Sequence, residues 1–164
     1  MIEHILNYLT NLPQELSVLI LSFLPISELR GAIPIAITVY KFDILKSFYL
    51  SVVGNFLFVP PFIFFLNYLN SYFMKFGWYN RFFTWWFDRV KAKSENVQKL
   101  EFWGLVIFVG IPLPMTGAWS GCVASYLLGM KPVKAILAIF LGILIAGIIV
   151  TTATVSLTQA IKWF

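Results

Sequence analysis

The stretch LSVLILSFLPISELRGAIPIAITVY, residues 16–40, is long enough to cross a membrane, yet it carries two charges near its middle, Glu28 and Arg30. About 20 apolar helical residues cross a hydrocarbon core. A central Arg, Lys or Asp costs roughly 2.5–3.5 kcal/mol on insertion scales, so charges at that depth mark a working site. The stretch is also interrupted by Pro25, Gly31 and Pro34. Its first leg, Leu16 to Leu24, covers about 14 Å of helix at ~1.5 Å per residue, half a bilayer. A broken segment with its tip at Pro25 to Pro34 is predicted, because proline removes an amide donor and clashes with the preceding turn.

Working outward, the whole chain has the composition of an integral membrane protein. Of 164 residues 60% are hydrophobic and 12% charged, against roughly 25% charged in a soluble domain, and mean hydropathy is +0.85. Three further stretches lack charge: Ser47 to Met74, Phe102 to Met130 and Ala135 to Ile161. A large aqueous domain is excluded. The first cationic side chain is Arg30, so no basic region precedes the first apolar run as a cleavable signal requires, and the N-terminus is expected to stay in the mature protein. The net charge of +5 comes largely from one polar link, Lys75 to Glu101, which bears on topology and lipid contact and does not suggest nucleic acid. Cys122 is the only cysteine, reads as a small buried apolar side chain and forms no intrachain disulfide.

Phe102 to Met130 is broken like the first segment, by Gly110-Ile111-Pro112-Leu113-Pro114-Met115-Thr116-Gly117. Ser47 to Met74, with Pro60-Pro61 as a kink, and Ala135 to Ile161 read as whole spanning helices. The order broken, whole, link, broken, whole suggests a repeat, with faint echoes in Lys46 and Lys134 and in Gly54 and Gly142. If both broken segments re-enter, Lys75, Arg81, Arg89, Lys91, Lys93, Lys99, Lys131 and Lys134 share one face, against Lys41, Lys46 and Lys162. The positive-inside rule favours that arrangement with the link cytoplasmic. The expected fold is an all-α polytopic membrane protein, one membrane domain over residues 1–164. It comprises two inverted repeats, about 13–74 and 102–161, each a re-entrant hairpin plus a transmembrane helix. Link 75–101, with Phe82, Phe83, Trp86, Phe87 and Val90 at helical spacing, is an interfacial amphipathic helix.

Broken helices in inverted repeats are how secondary transporters build midplane substrate sites. On that reading the two tips come together, Ser27 and Thr116 cap the returning legs, and Arg30 with two helix N-termini suits a phosphate or carboxylate. Positions i and i+2 of a helix point about 160° apart, so Glu28 and Arg30 pair only if the tip is unwound, and otherwise each has its own partner. Glu28, protonated at rest and deprotonated when water enters, reads as a proton carrier. The plainer alternative for both is an ion pair that holds the hairpin. Gly31, Pro34, Pro112, Pro114, Thr116, Gly117, Trp119 and Ser120 are the remaining candidates for substrate contact. Simple hairpin geometry competes for Pro112, Pro114 and Thr116, and close helix packing for Gly117 with Gly121. Trp119 either lines the cavity or faces lipid. No enzyme, metal or cofactor is expected. His4 stands alone near the terminus, Asp43 and Asp88 are the only aspartates, and Ser120 lacks a nucleophile elbow's glycines and a histidine.

The phrase Glu28-Leu29-Arg30-Gly31-Ala32-Ile33-Pro34, followed downstream by Ile111-Pro112-Leu113-Pro114-Met115-Thr116-Gly117-Ala118-Trp119-Ser120-Gly121, resembles the small multidrug export protein family, which looks like a distant branch of the DedA superfamily. The resemblance implies two re-entrant hairpins and inverted repeats. The export label implies cationic drugs, and the DedA relatives imply a polyprenyl phosphate or phospholipid moved between leaflets with protons, or sodium. The DedA arginine of the second hairpin has no counterpart here, since Phe108 to Gly121 is uncharged. An electropositive tip favours the lipid phosphate over proton-coupled export of a hydrophobic cation. A non-transporting assembly protein is the third reading. A homodimer in the plasma membrane is expected, because two crossings per chain leave much hairpin surface to cover.

Overall fold

The computed structural model describes residues 13–73, 77, 81, 95–113 and 116–162. All secondary structure among the described residues is helical: α1 Gln14–Phe23, α2 Glu28–Thr38, α3 Ile44–Leu57, α4 Val59–Phe73, α5 Glu95–Gly110, α6 Ala118–Leu127 and α7 Pro132–Lys162. Among the described residues two helical stretches are long and apolar enough to cross a membrane: Ile44–Leu69, which includes Phe58, and Pro132–Ala160. The chain groups into two compact units, one running to Leu57 and resuming at Ile143, the other Phe58–Gly142.

In the first unit α1 and α2 form a helical hairpin closed by the four-residue turn 24–27, and both pack on α3. Val18, Ala32 and Ala36 form its buried centre, with Leu21, Tyr40, Phe42 and Leu50 packed around them. Two contacts fix the direction of α1 beside α3. Near their starts Lys46 Nζ lies 2.7 Å from Glu15 Oε1, and further along Gly54 meets Leu19 and Ser22. The two helices therefore run the same way, and α2 runs back against them. A Cβ at Gly54 would fall 2.7 Å from the Leu19 carbonyl oxygen, so glycine is what permits that approach. The turn from α2 into α3 uses Lys41 in the left-handed region, φ 55, with Phe42 N–H donating to the Ala36 carbonyl at 2.9 Å. Lysine occupies a position that glycine usually fills. On α7, Gly147 admits the Phe48 ring, which an added Cβ would meet at 2.7 Å.

The second unit contains the other hairpin, α5 and α6, with α4 packed on α6. Val109 of α5 sits in a notch made by two glycines, since a Cβ at Gly121 or at Gly142 would lie 2.6 Å from its side-chain atoms. The Val106 carbonyl oxygen would be 2.9 Å from a Cβ at Gly142. Gly142 thus admits the backbone of α5 as Gly54 admits that of α1, each inside its own unit. Helix α6 ends in a left-handed Gly129, φ 65, with Met130 N–H reaching back to the Ser125 carbonyl.

Several expected boundaries shift. The first break is confined to residues 24–27, and α2 continues through Pro34, held there by the burial of Ala32, Ile33 and Ala36. The second break falls where expected, α5 ending at Gly110 and α6 starting at Ala118; Pro114 lies outside the described residues. Pro60-Pro61 leaves two preceding carbonyls without amide donors, and the helix is interrupted just before, at Phe58. The amphipathic link helix lies outside the described residues over 82–94, and α5 already begins at Glu95.

Candidate functional site

Glu28 opens α2 with φ 46, a left-handed conformation that costs a non-glycine residue roughly 1–2 kcal/mol. That unwound start answers the geometric question posed by the i, i+2 spacing. Glu28 Oε2 comes to 4.0 Å from Arg30 Nε, within ion-pair range although longer than a hydrogen bond. Glu28 is 7% exposed, while the Arg30 side chain keeps 22% of its surface open. Glu28 thus combines a strained backbone with a buried side chain. Leu29, between the two, is buried.

Ser27 sits at the N-cap of α2 in a helical conformation, and it makes no side-chain cap. Its hydroxyl instead donates to the Leu21 carbonyl near the end of α1, tying the two legs of the hairpin together. Gly31 faces Ser27 closely, an added Cβ meeting the Ser27 Cβ at 2.9 Å. Pro34 lies inside α2, where its carbonyl accepts from Thr38 Oγ1 at 2.6 Å.

In the second hairpin the expected capping roles also shift. Gly117, not Thr116, is the N-cap of α6, and its N–H donates to Ser120 Oγ at 2.9 Å, the reciprocal half of a capping box. Thr116 closes the proline turn. Its hydroxyl lies 2.8 Å from the Ile111 carbonyl and 2.9 Å from that of Leu113, and accepts from Leu113 N–H at 3.2 Å. Thr116 and Ser120 are thus engaged by their own backbone. Pro112 is half-buried in the same turn. Trp119 stacks on Phe58, with centroids 4.1 Å apart and planes at 14°, and lies 4.8 Å from Phe62, so it packs between helices α4 and α6. Gly121 admits Val109, in keeping with close helix packing.

The structure places Ser27, Glu28, Arg30, Gly31 and Pro34 together in the first unit, and Pro112, Thr116, Gly117, Trp119 and Ser120 together in the second. Sequence reasoning missed a set of buried polar side chains in the first unit, Ser47, Ser51 and Asn55 on α3 and Thr151 on α7. The four-residue spacing of the first three, inside an apolar run, is the signal that could have found them. Among the described residues no three His, Cys, Asp or Glu side chains gather as metal ligands.

The family model described as "Putative small multi-drug export protein" matches residues 28–149, from Glu28 itself through most of α7. The chain belongs to that family, and with two apolar helices of spanning length it is a membrane protein. No curated protein and no solved structure matches it.

Proposed function

We propose, with that membership as the premise, that this protein is a proton-linked transporter of the DedA-like type that moves an amphipathic anion, such as a polyprenyl phosphate or phospholipid, across the plasma membrane. One observation carries the reading: a partly open guanidinium, Arg30, beside a buried carboxyl, Glu28, at the strained start of a helix only 11 residues long. A helix of that length covers about 16 Å at ~1.5 Å per residue, half a hydrocarbon core. The hairpin α1–α2 is then re-entrant, and its turn puts both charges near the midplane. Arg30 offers a planar, permanent cation to a phosphate head group, supported by the positive end of α2. Glu28 carries the proton and, when charged, competes for Arg30, so that deprotonation releases the anion. The matching roles of Gly54 and Gly142 support two inverted repeats, with the polar link cytoplasmic and the chain working as a homodimer rather than as an enzyme.

The family's name and the Trp119–Phe58–Phe62 aromatic group favour a second reading, proton-coupled export of small hydrophobic cations, since aromatic faces attract such cations. Reconstitution decides between them. Wild type, Glu28→Gln and Arg30→Ala are placed in liposomes, and polyprenyl-phosphate translocation is followed beside efflux of a lipophilic cation. The lipid reading expects translocation in wild type and its loss in both variants. Cation efflux that survives Arg30→Ala, with no lipid movement in wild type, reverses the assignment.

A further inference from the structure

Hydroxyls on these helices commonly satisfy themselves on a carbonyl one turn back, and two buried ones find no partner among the described residues. Ser22, Ser47, Thr152, Thr154 and Thr158 each donate to the carbonyl four residues back, at 2.7–2.9 Å. This is the ordinary way for a hydroxyl in an apolar helix to satisfy itself. Ser51 Oγ and Thr151 Oγ1 do not, and together with Asn55 Oδ1 they are buried with no hydrogen-bond partner among the described residues. Ser51 is 0% and Asn55 1% exposed. Each unsatisfied buried polar group costs about 1–3 kcal/mol, and three in one unit call for a ligand.

Their positions say which one. Ser51 and Asn55 lie one turn apart on α3, three residues before and one residue after Gly54, the glycine that admits Leu19 and Ser22 of α1. Because α2 runs antiparallel to α3 through a short turn, residues equally far from that turn stand at equal height. Glu28 and Asn55 are equidistant from Lys41 to within one residue, so Asn55 stands level with the buried carboxyl. Ser47, Ser51 and Asn55 follow one another by four residues, a rise of about 6 Å per step. That gap exceeds a direct hydrogen bond and fits one bridging water with two bonds of about 2.8 Å. At the outer end Ser47 bonds the carbonyl of Asp43, a residue exposed at the start of α3.

We propose that Ser47, Ser51 and Asn55 of α3 form a water-bearing proton passage from the membrane face where α3 begins to the carboxyl of Glu28. The inference rests on the reading of Glu28 as proton carrier. The ligand class is water and hydronium. A proton arriving at one water is passed on by exchange of O–H bonds along the row, each oxygen gaining one proton and releasing another, and the last is taken by the Glu28 carboxylate. Asn55 orients the innermost water through Oδ1 and does not ionise. Thr151, one helical turn beyond the Gly147 that packs against Phe48 and Val52 of α3, adds a hydroxyl from α7.

The test reads the proton and not transport, so that it stands apart from the substrate assignment. Full-length protein in nanodiscs is transferred to D2O, and the carboxylic C=O stretch of Glu28, assigned by its loss in Glu28→Gln, is followed by infrared spectroscopy as it shifts on deuteration. Wild type is expected to exchange within the mixing time. Ser51→Ala with Asn55→Leu is expected to slow exchange at least tenfold, and Asn55→Ser on the wild-type background to keep it fast. Because Ser51 Oγ and Asn55 Oδ1 have no hydrogen-bond partner among the described residues, the double variant is also expected to unfold at the same temperature as wild type or higher. Equal exchange rates in wild type and double variant overturn the passage, as does a rate set by sodium concentration instead of pH. A lower unfolding temperature overturns it in favour of a structural role, and absence of any Glu28 carboxylic band overturns the carrier on which it rests. Fast exchange through the passage in a protein that moves no lipid leaves the proposal standing and removes only the substrate assignment.

Discussion

The two hairpins are built alike and finished differently. Each has a first leg whose backbone is admitted by a glycine, Gly54 for α1 and Gly142 for α5, and each has a short break before the second leg. In the first, the second leg opens on a strained, buried Glu28 and a partly open Arg30. In the second, Thr116 of the break is turned onto its own turn and Ser120 in the first turn of α6 onto Gly117, and the neighbouring Trp119 is stacked on Phe58. A shared frame therefore carries an electrostatically open site on one side and a self-satisfied turn on the other. Chemistry is expected from the first hairpin and rigidity from the second.

The strongest way to break that contrast is to exchange the outcomes of mutation. Arg30→Ala and Glu28→Gln are expected to lower transport by about ten- to a hundredfold, the equivalent of one charge-assisted contact of roughly 1.5–3 kcal/mol, while both proteins remain folded. Thr116→Val is expected to leave transport within about twofold and to cost about 0.5–1.5 kcal/mol of stability, through the exposed turn hydrogen bonds it removes. Both are read by flux in liposomes beside thermal unfolding in nanodiscs. If Thr116→Val abolishes flux in a stable protein, the second turn belongs to the site as well.

The rigidity itself is tested at Trp119. Trp119→Ala removes the stacked contact with Phe58 and is expected to cost about 3 kcal/mol, near the lower end for large buried aromatics because the ring is only half-buried. Trp119→Phe is expected to recover most of it. A stable Trp119→Ala protein that loses only cation efflux would move this ring from frame to binding surface. Smaller again, Gly54→Ala and Gly142→Ala each drive a Cβ into a backbone carbonyl and are expected to cost about 1–3 kcal/mol apiece. Similar losses in both sharpen the equivalence of the two frames, and tolerance at one position breaks it.

How much of this was legible in the sequence depends on the range of the interaction. The breaks at Pro25 and at Ile111–Gly117, and the unbroken α7, follow from proline and glycine acting on their own backbone, and they lie where the sequence put them. Glycines 54 and 142 were visible only as an echo, because the carbonyls they admit lie 35 and 36 residues away along the chain. Pro34 misled, since local chemistry predicts a break and tertiary burial of Ala32, Ile33 and Ala36 carries the helix through it. Ser27 and Thr116 were assigned as caps by type, and nothing local says that a hydroxyl will reach six residues back to Leu21 or five back to Ile111 instead. The pairing of Glu28 with Arg30 needed the positive φ at Glu28, a conformation no rule of side-chain type predicts for glutamate.

The smallest expected effect lies at the edge of the first unit, in the clasp between α1 and α3. Glu15 and Lys46 are both exposed, their contact is 2.7 Å, and Lys46 also lies 4.0 Å from the centroid of the Phe42 ring. The hydrogen bond from Lys46 holds the Glu15 carboxyl below its ordinary value of 4.5. For a carboxyl so lowered, the stabilisation is fully present above the unfolded value and is lost as pH falls through the folded one. The clasp therefore works at neutral pH and is lost in acid. Exposure and salt screening keep the effect small. The thermal midpoint of wild type minus that of Glu15→Gln, measured from about pH 7 down to about pH 3, is expected to be slightly positive at the upper end and to approach zero at the lower, with added salt shrinking it throughout. A difference that grows as pH falls would mean that Glu15 is stabilised in its protonated form, and the clasp would then owe nothing to Lys46.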